Sequence, residues 1–177
     1  LLTGYDIIFF WVARMMMMGL HSTTDRGPAG ALPFDTIALT GLVRDDRGRK
    51  MSKSTGNGID PIDWFDAYGA DATRFTVARG ASPGGDVSLS DEWVQGARNF
   101  VTKLWNATRF AMLNGATVTG PLPDTATLPE KHRWLLSRLA TTAAEVAAYF
   151  EKFEFAKALD ALFPFTWDEF CDWYVEL

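Results

Sequence analysis

The chain has 177 residues, 47% of them hydrophobic, and a formal net charge of −5. This composition predicts a globular protein with one sizeable core or two small ones, and neither half is basic enough to indicate nucleic-acid binding by charge alone. The only cysteine, Cys171, excludes an internal disulfide. A lone thiol among aromatic residues is typical of a buried small hydrophobic side chain, and we expect a cytoplasmic, reducing compartment.

The first helical pattern covers Asp6–Leu20, which is apolar nearly all round. We expect a helix that is buried on most faces, with the methionines Met15–Met18 as core filler. Arg14 follows the apolar stretch closely, so the sequence predicts neither a signal peptide nor a membrane span. Residues 21–34 contain Gly27-Pro28, Gly30 and Pro33 and predict a loop, and Thr36–Leu39 predict a buried strand.

The most informative segment is Lys50–Ser54, with the sequence Lys-Met-Ser-Lys-Ser. Before it, the turn Asp46-Arg47-Gly48 predicts a short hairpin that presents this segment as a loop. Two ammonium groups and two hydroxyls on a glycine-bounded loop suit a site that holds a polyphosphate while it becomes a leaving group. A solvated basic turn is the alternative interpretation of the same composition.

Helix signals dominate the rest of the chain. Asp60-Pro61 predicts a helix start, Gly69 its end, and Asp71–Arg79 a second helix. A turn at 82–85 and a brief strand at Val87–Leu89 follow. Longer helices are predicted from Ser90 to Asn114-Gly115, from Glu130 to Phe150 and from Glu154, with loop 121–129 between the first two. Pro164 is expected to interrupt the last helix, and a capping box at Thr166–Glu169 to restart it.

The fold class is therefore α/β followed by all-α, with the boundary at residue 90. The Lys-Met-Ser-Lys-Ser segment resembles the signature of class I aminoacyl-tRNA synthetases. This likeness implies that Lys50, Ser52, Lys53 and Ser54 are catalytic, and that Lys53 stabilises the pyrophosphate leaving group.

Flanking segments are similar to the valyl-tRNA synthetase family, and the likeness covers nearly the whole chain. It implies residues 1–90 as the C-terminal part of a Rossmann-like catalytic domain with its linking subdomain, and 91–177 as part of an anticodon-binding helix bundle. We expect an internal segment of a longer enzyme. The segments that carry this resemblance are Thr3–Met15, Gly41–Asp45, Arg98–Asn106, Arg133–Leu139 and Trp167–Tyr174.

The resemblance also implies binding roles for residues outside the signature. Gly4 and Asp6 match positions that contact the ATP ribose, and Trp11 matches a wall of the amino-acid pocket. A carboxylate can accept two hydroxyl protons and an indole face offers a rigid apolar surface, so the residue types suit these roles. Taken alone, Asp6 is more typical of a first-turn charge and Trp11 of core. Leu42, Val43 and the backbone at Met51 match positions where the family holds adenine. The residues implied to bind ATP are Gly4, Asp6, Gly41, Leu42, Val43, Met51 and Lys53.

The implied parent enzyme activates valine with ATP and Mg²⁺ and transfers it to tRNA(Val). It is expected to be a monomer that does not bind a membrane, with no protein-bound metal in this segment. Isoleucyl- or leucyl-tRNA synthetase is the alternative within the class, although Ile7 stands where isoleucyl enzymes commonly carry glutamine. A non-catalytic module that binds tRNA or ATP is the alternative outside it. We expect the isolated segment to be inactive, since His21 and His132 lie in no His-Ile-Gly-His-type motif.

Arg98, Lys103, Arg109 and Arg138 are candidate phosphate contacts, and the tryptophans of the second half are expected in the bundle core.

Overall fold

The computed structural model describes residues 1–23, 25, 31–82, 84–117, 120–121 and 123–177. The predictions made for Gly27-Pro28, Gly30, Pro83 and position 122 therefore concern residues outside this description. Within these ranges four short strands form two parallel pairs, in which Gly4 lies opposite Thr40 and Val43 lies opposite Val87. The strands are β1 (Leu2–Gly4), β2 (Ala38–Thr40), β3 (Val43–Arg44) and β4 (Val87–Ser88).

The first helical segment continues directly from β1. A 3-10 turn (Tyr5–Ile7) leads into a π-helical stretch (Ile8–Val12) and then into helix α1 (Ala13–Ser22). The predicted helix is confirmed, but its predicted burial is wrong, because Val12 is the only buried residue of 5–22 and Phe9 is 78% exposed. The strand predicted at Thr36–Leu39 lies at β2 instead, and Leu39 is not buried.

Helices α2 (Pro61–Tyr68) and α3 (Ala70–Gly80) begin and end close to the residues expected. Asp60 caps α2 by accepting a hydrogen bond from the backbone N–H of Ile62 at 2.9 Å, and Pro61 occupies the first helical position, where no N–H is needed. Gly69 separates the two helices at a φ of 92°. The predicted cap and stop are thus confirmed.

A small hydrophobic core lies beneath the signature loop. Trp64 of α2 and Ala72 of α3 pack with Leu89 and with residues of the next helix, and Met51 and Ile59 pack against this cluster from either end of the loop. The apolar flanks of the loop thereby fix its base to the core. Its polar tip is left at the surface.

After Ser88 the described part of the chain contains helices only, which confirms the change from α/β to all-α. Ser90 caps the first long helix by accepting from the backbone N–H of Trp93. The helices are α4 (Asp91–Leu113), α5 (Glu130–Glu151) and α6 (Phe155–Pro164), with a 3-10 turn at Thr125–Thr127 and a π-helical continuation of α6 at Phe165–Tyr174.

The predicted interruption at Pro164 is wrong. Pro164 has φ −65° and ψ −36°, which are helical values that its ring favours, and the chain continues as a π-helix without a side-chain cap. Glu169 does not fold back onto Thr166 as a capping box requires. Its carboxylate instead accepts two hydrogen bonds, at 2.8 and 2.7 Å, from Arg138 of α5. A tertiary contact has replaced the local one.

A stack of aromatic rings joins the two halves of the chain. Phe100 of α4 lies 4.9 Å from Phe75 of α3 and 4.9 Å from Phe163 of α6, measured between ring centroids. Trp167 continues the stack at 5.6 Å from Phe163. The guanidinium of Arg79 donates to Asp160 at 2.9 Å beside it. These contacts anchor α3, which lies next to the signature loop, to the helical bundle.

The aromatic residues of the bundle are less buried than the sequence suggested. Trp167 lies in the stack, but Trp105, Trp134 and Trp173 are 70%, 43% and 66% exposed, so their assignment to the core is wrong. Cys171 is buried as expected, and burial raises the pKa of its thiol. In the ranges that the structure describes, no helix combines the length and apolarity needed to cross a membrane.

Candidate nucleotide site around the signature loop

The hairpin that presents the signature is formed as predicted. The backbone N–H of Asp45 donates to the carbonyl of Arg49 at 2.9 Å, and that of Met51 donates to the carbonyl of Val43 at 3.2 Å. Gly48 takes a φ of 74° in the turn, a conformation that glycine adopts without strain. The signature segment therefore leaves β3 through a tight, hydrogen-bonded turn.

The hydroxyl groups of the loop bind one another. Ser52 Oγ lies 3.0 Å from Ser54 Oγ and 2.9 Å from Thr55 Oγ1, so the three side chains form one cluster. Lys53 stands at the exposed tip of the loop, and among the described residues its ammonium has no hydrogen-bond partner. The hydroxyls of the loop thus bond to one another, and the ammonium of Lys53 projects from the tip.

The other signature lysine reaches the predicted ribose position. Lys50 Nζ lies 3.0 Å from Asp6 Oδ2, and the two side chains are 57% and 31% exposed. Gly4, the last residue of β1, immediately precedes the turn that carries Asp6. The fold thus brings Gly4 and Asp6, near the start of the chain, to the signature loop.

Asp86 holds the segment implied to bind adenine, a role that the sequence did not reveal. Its carboxylate accepts from the backbone N–H of Leu42 at 2.8 Å, from Arg44 Nε at 2.5 Å and from the Tyr5 hydroxyl at 3.1 Å. The N–H of Leu42, followed by Arg44 and Tyr5, lowers the pKa of Asp86 against the opposing effect of burial. Asp86 is thus an ionised link between β4, Gly41-Leu42 and the helical segment that follows β1.

A cavity of about 340 Å³ opens beside the loop and is mainly apolar. Val43 and Met51, both implied to hold adenine, line it together with Lys53, Ile59 and Trp64. Clefts of this size with apolar walls and a few polar groups are typical of small-molecule sites. Trp11 is not among the lining residues. It lies on the π-helical stretch with 41% of its surface exposed, and its indole makes no hydrogen bond with the described residues.

Asp45 forms the buried support of the hairpin, being only 6% exposed. The side-chain N–H of Asn57, and then the backbone N–H and the guanidinium of Arg49, lower its pKa from 3.8 to about 2, although burial acts in the opposite direction. Asn57 Nδ2 lies 3.0 Å from Asp45 Oδ2, and Arg49 Nε lies 2.8 Å from the same oxygen. The hairpin and the loop are therefore tied together through one carboxylate.

This carboxylate gives an expected pH dependence. Because the folded pKa lies below the ordinary value of 3.8, ionised Asp45 stabilises the fold at higher pH, and this contribution is lost as the pH falls from 3.8 through about 2. We expect Asp45→Asn to be less stable than the unaltered protein at neutral pH, with the difference shrinking across that acid range. Urea unfolding of both proteins at several pH values measures it. A difference that stays constant from pH 7 to pH 2 would contradict this role.

Two of the four candidate phosphate contacts in the bundle are engaged within the protein. Arg138 forms a bidentate ion pair with Glu169. Lys103 forms an ion pair with Asp172, and its ammonium also lies 4.0 Å from the centroid of the Trp167 ring. Charges that are already paired are less available to a ligand. Arg98 and Arg109 make no recorded side-chain pair with the described residues, and they remain candidates.

Two known protein families match parts of this chain. The family described as tRNA synthetases class I (I, L, M and V) matches residues 1–90. The anticodon-binding domain of tRNA ligase matches residues 132–177.

Relatives match the chain along its full length. The valine–tRNA ligase of Streptomyces coelicolor is 62% identical over 177 residues, which are 100% of this chain and 20% of that protein. The valine–tRNA ligase of Mycobacterium tuberculosis is 55% identical over 185 residues, covering 100% of this chain and 20% of its own length. The chain thus spans about a fifth of the length of these curated relatives.

Solved structures show the same fold. A LeuRS of Agrobacterium radiobacter, in a ternary complex with tRNA and LeuAMS, superposes with a TM-score of 0.79 at 24% identity, over 93% of this chain and 21% of that one. Methionyl-tRNA synthetase of Mycobacterium tuberculosis, in complex with methionyl-adenylate, gives a TM-score of 0.67 at 28% identity, over 93% and 31% of the two chains. The strands and the signature loop thus correspond to the Rossmann-like part of such enzymes, and the later helices to their helical domain. On this evidence the chain belongs to the class I tRNA synthetase family of the isoleucine, leucine, methionine and valine enzymes.

Proposed function

We propose that this chain is a segment of a valine–tRNA ligase and that its signature loop serves the activation of valine. In this reaction a carboxylate oxygen of valine attacks the α-phosphorus of ATP, the bond from that phosphorus to the bridging oxygen breaks, and pyrophosphate leaves. The products are valyl-adenylate and pyrophosphate. A ribose hydroxyl of the terminal adenosine of tRNA(Val) then attacks the valyl carbonyl carbon, the bond from that carbon to the phosphate oxygen breaks, and AMP leaves. The observation that carries the proposal is the 62% identity to a valine–tRNA ligase throughout the segment that contains the loop.

We assign the residues of the site by the chemistry that each can perform. Lys53 faces solvent at the tip of the loop, where its charge can stabilise the negative charge that grows on the leaving pyrophosphate. Lys50 and Asp6 form an ion pair at 3.0 Å, so the ribose and the phosphates of one nucleotide can be contacted by neighbouring groups. Ser52 and Ser54 supply hydroxyl donors to the phosphates.

The remaining assignments concern the base, the amino acid and the metal. Gly4, with Asp6, contacts the ribose, and Trp11 lines the valine pocket. The mainly apolar cavity supports a role for Val43 and Met51 in holding adenine, with Gly41 and Leu42 behind them. Mg²⁺ arrives with the nucleotide as part of the substrate. We propose no protein ligand for it from this segment.

For the chain as a whole, we propose that residues 1–90 complete the catalytic domain and linking subdomain and that residues 91–177 form part of the bundle that meets the anticodon stem. The start of α4 at Asp91 supports this division. The full-length enzyme acts as a cytoplasmic monomer. The separate segment is a non-catalytic module, because the histidine motif of the class has no counterpart among its residues.

Pyrophosphate exchange by the full-length enzyme tests the proposed substrate. We expect exchange with valine to exceed exchange with isoleucine and leucine, since a pocket built for the smaller branched side chain disfavours a larger one, by about 10- to 200-fold for one methylene. Labelled pyrophosphate incorporated into ATP, measured with each amino acid, gives kcat/KM. Faster exchange with isoleucine or leucine would move the enzyme to another member of the family. In the same assay the isolated segment should stay at background.

A further inference from the structure

Asn57 lies three residues beyond the Lys-Met-Ser-Lys-Ser signature, and its carboxamide spans the base of the loop. Nδ2 donates to Asp45 Oδ2 at 3.0 Å and to the Lys50 carbonyl at 3.2 Å. Oδ1 accepts from the backbone N–H of Ser52 at 3.0 Å and from Thr55 Oγ1 at 2.6 Å. One side chain therefore contacts the loop at its entry, near its exit and at the hairpin behind it.

The orientation of this amide follows from its partners. A backbone N–H can only donate and an ionised carboxylate can only accept, so Oδ1 must face Ser52 and Nδ2 must face Asp45. Exchanging the oxygen and the nitrogen would set the NH₂ group of Asn57 against the N–H of Ser52, donor against donor. It would also set the amide oxygen against the carboxylate of Asp45, acceptor against acceptor. Asparagine at this position consequently makes contacts that an isosteric aspartate cannot reproduce.

The support behind Asn57 is rigid. Asp45 is buried, and its Oδ1 accepts from the backbone N–H groups of Arg47 and Arg49 at 3.1 and 2.8 Å. The carboxylate is thus fixed by the hairpin itself. Asn57 transmits this fixed position to the loop.

Lys53 lies within the ring that Asn57 closes. The contact between Asn57 and the N–H of Ser52 anchors the residue before Lys53, and the N–H of Gly56 donates to the Lys53 carbonyl at 3.4 Å on the other side. The tip of the loop can therefore shift little unless the hydrogen bonds of Asn57 at the base of the loop break. A displacement of about 1 Å in a group that acts on the transition state can cost about a hundredfold in rate.

We propose that Asn57, held by Asp45, is a positioning residue that sets where Lys53 stands relative to the phosphates. This inference rests on the proposed function of the loop. Asn57 acts through Lys53 and touches no reacting atom. The hydroxyl cluster of Ser52, Ser54 and Thr55 is ordered by the same amide.

Asn57→Asp in the full-length enzyme is the decisive change. It keeps the shape of the side chain, removes the donor to Asp45 and places a second negative charge against it. We expect kcat for valine-dependent pyrophosphate exchange to fall about 10- to 100-fold, while KM for ATP changes less than about threefold, since the lost interaction matters in the transition state. The backbone N–H of Ser52 should exchange its hydrogen faster in Asn57→Ala, which removes its acceptor.

Asn99→Asp is the matched control. It makes the same chemical change on the exposed surface of α4, where Asn99 accepts from Gln95 Nε2 at 3.2 Å, and we expect wild-type kinetics. If Asn57→Asp does not fold, Asn57→Ala carries the kinetic test, because it removes the same contacts without adding charge.

Partner exchange adds a test that general destabilisation cannot imitate. Asp45→Asn alone sets a donor against the Asn57 donor, whereas Asp45→Asn with Asn57→Asp restores a donor facing an acceptor. We expect the double variant to be about tenfold more active than the product of the two single losses predicts. Equality with that product would overturn the proposal.

Two further results would overturn the positioning role while leaving the proposed function intact. One is a kcat of Asn57→Ala within twofold of that of the unaltered enzyme, although its Ser52 backbone N–H exchanges hydrogen faster. The other is a loss of activity in Asn57→Asp that lies wholly in a higher KM for ATP, with kcat unchanged. If the unaltered enzyme shows no valine-dependent exchange, the proposed function itself is wrong, and the positioning role of Asn57 is overturned with it.

Discussion

Lys53→Ala in the full-length enzyme is expected to lower kcat for valine-dependent pyrophosphate exchange by about 10²- to 10³-fold, equivalent to about 3 to 4 kcal/mol of transition-state stabilisation. The ammonium stands at the exposed tip of the loop, and no described residue pairs with it. Its charge is therefore available to the oxygens of the departing pyrophosphate. Because this charge develops only as the bond breaks, the loss should appear in kcat more than in KM for ATP.

Two variants calibrate that result. Lys157→Ala removes the same charge from α6, where Lys157 pairs with Glu154 at 2.7 Å, and it should leave exchange within twofold of the unaltered enzyme. Lys53→Arg keeps the charge but replaces a compact point charge with a planar fork, so an intermediate loss of about tenfold is expected. A Lys53→Ala enzyme within a few-fold of wild type would refute the assigned role.

Gly41→Ala is expected to cost about 3 kcal/mol of folding free energy, at the upper end of the range for overpacking, because no side chain can move aside to relieve the clash. A Cβ at this position would lie 1.6 Å from the carbonyl oxygen of Gly85 and 2.8 Å from the backbone nitrogen of Asp86. Only a shift of the backbone makes room. Such a shift would separate Asp86 from the N–H of Leu42 and disturb the segment proposed to hold adenine.

Urea unfolding, together with KM for ATP, measures both consequences in the full-length enzyme. Gly96→Ala provides the contrast, since nothing lies within 4 Å of a Cβ built there and the residue sits inside α4. Its higher helix propensity should stabilise the protein by about 0.5 to 1 kcal/mol. If Gly41→Ala unfolds at the same urea concentration as the unaltered protein, the close approach to Gly85 is not a constraint in solution.

The elements of this fold that could be predicted from sequence are those with local causes. Asp60-Pro61 and Ser90 start helices through their own side chains, and Gly48 and Gly69 mark a turn and a helix end through their backbone conformations. These signals need no knowledge of distant residues. The predicted hairpin and the start and end of α4 are confirmed for this reason.

The errors arose where distant contacts decide. Pro164 was expected to break a helix, but the ring stack of Phe163 and Trp167 on Phe100 and the pairing of Glu169 with Arg138 hold the chain in a helical path. The burial of the first helix was overestimated because apolar composition predicts that a face will be covered, without showing that the covering residues belong to the same chain.

Part of the candidate site can be proposed from sequence alone. The signature and its flanks identified the loop, Gly4 and Asp6, and the structure brings Lys50 to Asp6. Asp86 was missed because its partners Leu42 and Arg44 precede it by 44 and 42 residues, and a lone aspartate before a short strand is common. Asn57 was overlooked because its role depends on four hydrogen bonds that no spacing rule describes.

The parallel pairing of β3 with β4 has a consequence for the order of events on the ribosome. The signature hairpin can close locally, but its neighbour strand and Asp86, which is 44 residues beyond Leu42, are translated later. At about 5 to 20 residues per second, the interval is roughly 2 to 9 seconds. A nascent chain that stalls after Ser54 and before Asp86 would carry the whole signature and still lack the scaffold that aligns it.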